Sequence, residues 1–221
     1  MSAVRPRLEE LVEEAQRMLA ICNACRYCEG YCAVFPALER RLAFDEGDIH
    51  YLANLCHNCG ACLYACQYAP PHEFQLNLPK MLAQVRKETY AKYAWPSFLG
   101  AAFERNGAVS AISTALAIAL LFIITAVLGD STAFFSAHPD SEGSFYAVMP
   151  HSTMAVMFGA VFLFAIVSLA VSFTRFWTGA GETFVDLASP RPILAAKRDA
   201  AVLRNLDDGP RKMFHHFTFY G

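Results

Sequence analysis

The feature that most constrains this chain is a cysteine run written twice. Cys22-x2-Cys25-x2-Cys28-x3-Cys32 and Cys56-x2-Cys59-x2-Cys62-x3-Cys66 share one spacing and together use all eight cysteines of the 221 residues. Eight cysteines admit either disulfides or metal ligation. Residues 1–21 contain no apolar run followed by a small-residue cleavage site, so export is not expected. Thiols that stay inside the cell stay reduced, which favours ligation. Structural zinc sites take ligands in two pairs. Three close thiolates with a fourth three residues on are instead the pattern that holds a [4Fe–4S] cluster.

Doubling of the run implies two such clusters with crossed ligation. The first three cysteines of a run wrap one cube, and the fourth, expected on a helix leaving the loop, reaches the other. Cys22, Cys25, Cys28 and Cys66 are then one ligand set. Cys56, Cys59, Cys62 and Cys32 are the other. The proline that usually follows the fourth cysteine is replaced by Ala33 and Gln67, a change expected in loop detail rather than in ligation. Gly60, Ala24 and Ala61 are small enough to let backbone amides approach sulfur, where hydrogen bonds tune potential. His57, inside the second run, is read as a half-exposed loop residue in preference to a cluster partner.

Around these runs the first half of the chain reads as all-α. Leu8, Leu11, Val12, Ala15, Leu19 and Ile21 lie mostly on one face of an amphipathic helix over residues 5–21. The connector between the runs carries helical pattern at 38–44 and 49–55, interrupted by a turn at 45–48. A second amphipathic helix is predicted over 78–93. No strand-like alternation stands out. The domain is expected to occupy residues 1–106. A net charge of −2 and the lack of a basic patch leave no nucleic-acid partner in view.

The second half, residues 107–221, is a membrane region by pattern. Hydrophobic residues make up 55% of the chain and concentrate after residue 107. Residues 107–129 and 152–174 contain no charged side chain, and each run is long enough to cross a bilayer core as a helix. Frequent Gly, Ala, Ser and Thr suit close packing of membrane helices. Eleven Lys and Arg precede the first run and seven follow the second, while residues 130–151 have none. The positive-inside rule therefore puts both flanks in the cytoplasm and the loop outside, as in a multi-pass protein of a bacterial inner membrane. An amphipathic helix is predicted over 193–206. Residues 213–221 read as the opening of a third span, as though the natural chain continued.

The stretch from Cys22 to Pro36, CNACRYCEGYCAVFP, and that from Cys56 to Phe74, CHNCGACLYACQYAPPHEF, resemble the citrate/tricarballylate utilization protein B family. The long connector is similar to the α-helical ferredoxin domains of succinate dehydrogenase and heterodisulfide reductase iron–sulfur subunits. The cobalamin-pathway protein Z carries a related module. The resemblance covers the whole chain and is most specific in the cysteine runs. It implies a partner, an FAD-dependent dehydrogenase of tricarballylate or a similar tricarboxylate, whose reduced flavin is reoxidised through the two clusters into the membrane quinone pool. A quinone pocket would be sought among residues 95–103 and 175–177. Two other readings stay open: a quinol-linked donor to a soluble reductase of heterodisulfide-reductase type, and a redox sensor.

The fused relative is associated with b-type haem, and family members have more membrane spans. Candidate axial ligands here are His138, His151, His215 and His216. By the topology above, His151 lies at the outer end of a span and His215 and His216 at an inner end. They cannot share one haem, so a b-type haem is expected, if at all, only in a longer chain. No nucleophile, phosphate loop or substrate constellation is present, so no catalytic residue is expected, and the oxidised substrate belongs to the partner.

Overall fold

The computed structural model describes residues 5–103, 105–128, 144–184, 189–204 and 209–221, with positions 132 and 136. Among the described residues every regular element is a helix. They divide into two compact units, Met1–Tyr90 with Arg175–Gly221, and Ala91–Thr174.

The first unit is built around the cysteine runs. Helix α1 (Arg5–Cys25) buries Leu8, Ala15, Met18 and Leu19, the i, i+3, i+4 stripe of an amphipathic helix. It runs on through Cys22 to Cys25, past the expected end at residue 21, because nothing in Asn23-Ala24 breaks it. It stops where Arg26 turns to a left-handed φ of 53°. Helix α2 (Val34–Leu38) has five residues and is too short to be stable alone. Its burial of Val34, Phe35 and Leu38 holds it. A fully buried side chain of this size contributes roughly 1.5–3 kcal/mol.

Residues 45–48, expected as a turn, instead start helix α3 (Glu46–Leu55). The Asp45 carboxylate accepts the Asp48 N–H at 2.7 Å, and the Asp48 carboxylate accepts the Asp45 N–H at 3.4 Å. This reciprocal cap satisfies amides that the first turn leaves open. Arg41 reinforces it. Its guanidinium pairs with Asp48, donates to the Ala37 carbonyl at 2.6 Å, and lies 5.3 Å from the centre of the Tyr51 ring. Arg41 thus ties the end of α2 to the start of α3.

Helix α4 (Ala61–Tyr64) begins after Gly60, whose φ of 78° is open to glycine at little cost. Helix α5 (Leu78–Tyr93) occupies the predicted range. It buries Leu78, Met81, Leu82 and Val85 against α1–α3 in one apolar core. Asn54 on α3 donates to Thr89 Oγ1 on α5 at 3.1 Å. Cys22, Cys28, Cys32, Cys56, Cys62 and Cys66 pack on this core, so the cysteines sit on an apolar floor.

In the second unit, α6 (Ser97–Phe103) leads to α7 (Asn106–Leu128). Gly100 is needed where α6 passes the end of α5, since a Cβ there would stand 2.7 Å from the Ala91 carbonyl oxygen. After the short α8 (Ser144–Val148) comes α9 (His151–Gly179). The 23 residues of α7 and the 29 of α9 are long and apolar enough to cross a membrane. Neither has the burial of a soluble core helix. Ile112, Leu116, Phe122, Val161, Phe162 and Leu169 are all exposed, an apolar surface that water disfavours. Two threonine hydroxyls are satisfied within their own helices. Thr125 and Thr174 donate to the Leu121 and Ala170 carbonyls, both at 2.8 Å, the i−4 back-bond common for threonine inside a helix.

The chain ends with α10 (Pro190–Ala201) and α11 (Gly209–Tyr220). Helix α10 starts three residues before the predicted one, because Pro190 and Pro192 fit a first helical turn. It ends ahead of Leu203, which has φ 49°. Helix α11 covers the segment read as the opening of a third span. Tyr220 donates from its hydroxyl to the Ala201 carbonyl at 2.6 Å.

Candidate iron–sulfur site

The eight thiols are free of disulfides and half-buried. Two cavities are each faced by four of them, and a further space of about 30 Å³ is lined by Cys22, Cys28, Cys62 and Cys66. One cavity, of about 230 Å³, is lined by Cys22, Cys25, Cys28 and Cys66 with Tyr68 and Leu76. A second, of about 20 Å³, is lined by Cys32, Cys56, Cys59 and Cys62 with His57 and Asn58. Each cavity thus takes three cysteines of one run and the fourth of the other. Phe35, itself buried, lines both.

The local structure explains the grouping. Cys22 and Cys25 stand three apart on the last turn of α1, so they share a face. Cys28 follows in a turn closed by the Tyr31 N–H on the Cys28 carbonyl at 3.0 Å. The fourth cysteines are not on helices as expected. Cys32 lies just before α2 and Cys66 just after α4, in irregular backbone that can turn each side chain toward the other run. Gln67, next to Cys66, reaches the opposite run and places its side-chain amide 3.9 Å from Cys25 Sγ.

Burial dominates the electrostatics of the thiols, and neighbouring thiols of both sets add to it. Burial pushes the Cys22 thiol up to about 12, and neighbouring Cys66 adds to the effect. Burial and then Cys66 raise Cys28 to about 11. Burial raises Cys62 to about 12, with Cys28 of the other set and then Cys32, Cys56 and Cys59 adding to the rise. Cys32 is raised by burial, opposed by the N–H groups of Val34 and Phe35, with Cys56 and Cys59 adding to the rise. Cys56 is raised by burial and held back by the Asn58 N–H and the Arg86 charge. The Asn58 N–H lies 3.4 Å from Cys56 Sγ, in a turn where Asn58 itself has φ 53°. Arg86 on α5 donates to the Cys56 carbonyl.

This donor set fits an iron–sulfur group. Four protonated thiols facing one cavity become ligands only if bound iron displaces their protons and neutralises the thiolates. Among the described residues no three His, Cys, Asp or Glu side chains converge tightly enough for a single metal ion. Thiols spread round an open space suit a multi-iron core, in which each iron takes one thiolate. The second cavity is much the tighter, and exposed His57 and Asn58 form its rim. His57 borders the cavity and is exposed, close to the reading from sequence.

Comparison with known proteins agrees with the geometry. Residues 15–92 match the Citrate utilization protein B Fer4-like domain, and residues 105–218 match Citrate utilization protein B. The chain belongs to the citrate utilization protein B family. Citrate utilization protein B of Escherichia coli is 45% identical to it over 230 aligned residues, covering 97% of this chain and 58% of the relative. The chain therefore spans 58% of the length of that curated relative. No solved structure matches it. The residues that carry both cysteine runs thus fall within a Fer4-like domain.

Among the haem candidates, His151 opens α9 with its ring 5.8 Å from that of Tyr146, and His216 stacks on Tyr220 at 5.6 Å. His215 lies beside it on α11. His138, like most of the loop expected outside the membrane, lies outside the described residues. Sequence reasoning missed Arg86, Gln67 and the sulfur contact of Asn58. Gln67 had a signal, since it stands where a proline usually follows the run. Arg86, thirty residues from Cys56, had none.

Proposed function

We propose that the chain is the membrane-bound electron-transfer partner of an FAD-dependent dehydrogenase. It takes electrons from that enzyme's reduced flavin and delivers them to membrane quinone. The observation that carries this reading is the pair of cavities, each faced by four thiols drawn crosswise from the two runs. Cys22, Cys25, Cys28 and Cys66 would hold one [4Fe–4S] cluster, and Cys32, Cys56, Cys59 and Cys62 the other. Such a cluster, when bound, supplies one-electron oxidation and reduction, the step size at which a flavin and a quinone can be matched. The protein's own part is to fix the thiols, to pack Leu76 and Phe35 against them, and to keep them near the bilayer.

The membrane part of the reading rests on α7 and α9, whose exposed apolar faces suit lipid, and on the absence of Lys and Arg from residues 130–151. Both flanks are then cytoplasmic, where a soluble dehydrogenase can dock. The E. coli relative is named for citrate utilization, so a tricarboxylate such as citrate or tricarballylate is the substrate class proposed for the partner.

The test is reoxidation of the partner's reduced flavin by membranes containing the chain. Expected is rapid reoxidation that is lost on Cys22→Ser or Cys56→Ser and on extraction of quinone. Equal rates in all of these membranes would sink the assignment.

A further inference from the structure

The two thiol sets are not electrostatically equivalent. On the second set, the Asn58 N–H approaches Cys56 Sγ at 3.4 Å, and the N–H groups of Val34 and Phe35 face Cys32. The Arg86 guanidinium is fastened to the Cys56 carbonyl, close enough for its charge to act on that thiol. Among the described residues, the first set receives one neutral side-chain amide, Gln67 Nε2 at 3.9 Å from Cys25 Sγ. No cation is found among the influences on Cys22 or Cys28, which are burial and other cysteines.

Reduction adds negative charge to a cluster. N–H donors and nearby positive charge stabilise that form and raise the potential. Arg86 is half-buried, so solvent screens its charge less than that of a surface cation. Resting on the two-cluster reading above, we propose that Arg86 is a positioning residue that holds the potential of the Cys32/Cys56/Cys59/Cys62 set above that of the Cys22/Cys25/Cys28/Cys66 set. An electron entering this domain therefore settles on the second set. The same bond fixes the backbone at Cys56, so the residue that supplies the charge also fixes the loop that receives it.

The test is a redox titration of the full chain in detergent, reconstituted with iron and sulfide without oxygen and followed by electron paramagnetic resonance. Two midpoints are expected. Arg86→Gln should lower the higher midpoint by about 59 mV or more, a tenfold change in a one-electron equilibrium, and leave the lower one in place. Arg86→Lys, which keeps the charge, should retain more than half of the wild-type separation. Gln67→Leu should lower the lower midpoint alone. If Arg86→Gln does not fold, Gln67→Leu still decides, because movement of the higher midpoint overturns the assignment. Two assembled clusters whose midpoints ignore Arg86→Gln, or an Arg86→Lys shift as large as that of Arg86→Gln, overturn this inference alone. Assembly of one cluster, seen as half the expected iron, overturns the two-cluster reading instead.

Discussion

Arg41 and Asp48 form an ion pair across the connector between the two cysteine runs, with 22% of each side chain exposed. Low exposure limits screening by water, so the pair counts for more than a surface bridge. The same guanidinium also holds the Ala37 carbonyl, and Asp48 completes the cap of α3.

Arg41→Ala leaves that carboxylate half-buried without its cation. It should cost about 1.5–3 kcal/mol, the range for hydrogen bonds to charged groups. Chemical denaturation of the detergent-solubilised chain checks it. The Arg41→Ala/Asp48→Asn double variant should lose less than the two singles combined. Strict additivity would show that the pair is not coupled.

Crossed ligation predicts crossed damage. Cys32→Ser should harm the cluster held mainly by the second run, and Cys66→Ser the one held mainly by the first. Wild-type protein should carry about eight irons, and each variant about four, if one cube is lost cleanly. Iron analysis and paramagnetic resonance of the two variants read this out. Loss of the cluster built on the variant's own run would refute the crossing.

Thiol burial has a pH consequence for the metal-free chain. Cys22 and Cys62 are pushed from an ordinary 9.0 to about 12 and Cys28 to about 11. Above the ordinary value, the unfolded chain gives up protons that the folded chain keeps. Folded stability from these thiols is then complete below pH 9 and falls as pH rises toward 12. Denaturation of the metal-free chain should show stability declining above about pH 9, whereas iron-loaded protein, its thiolates already bound, should resist. A flat profile for the metal-free chain would contradict it.

Membrane topology gives a fourth expectation. A cysteine placed at Ser141, in the loop without Lys or Arg, should react with an impermeant reagent only from the outer face. Labelling only from the cytoplasmic face would reverse the orientation. The native cysteines, if bound to iron, should stay silent.

Much of the site was legible because its signal is local. Spacing alone singled out the eight thiols that line the cavities, and amphipathic pattern over 78–93 marked α5. What escaped is what tertiary context decides. Asp45-x-x-Asp48 read as a turn because a helix cap uses the same residues as a turn. The first cysteines were assigned to a loop although α1 continues through them, since its end depends on one left-handed residue, Arg26. The fourth cysteines were placed on helices they only adjoin. Arg86 was invisible because its partner is a backbone carbonyl, and every residue has one.

Phe35 forms part of the wall of both thiol cavities, whereas Gln67 lines one and Arg86 holds the Cys56 carbonyl of the other set. Handles on the two sets are therefore private, but the partition is common property. Evolution can retune either set through its own amide or cation without disturbing its neighbour. At Phe35 no such independence exists, because any change of size or polarity there is imposed on both sets together.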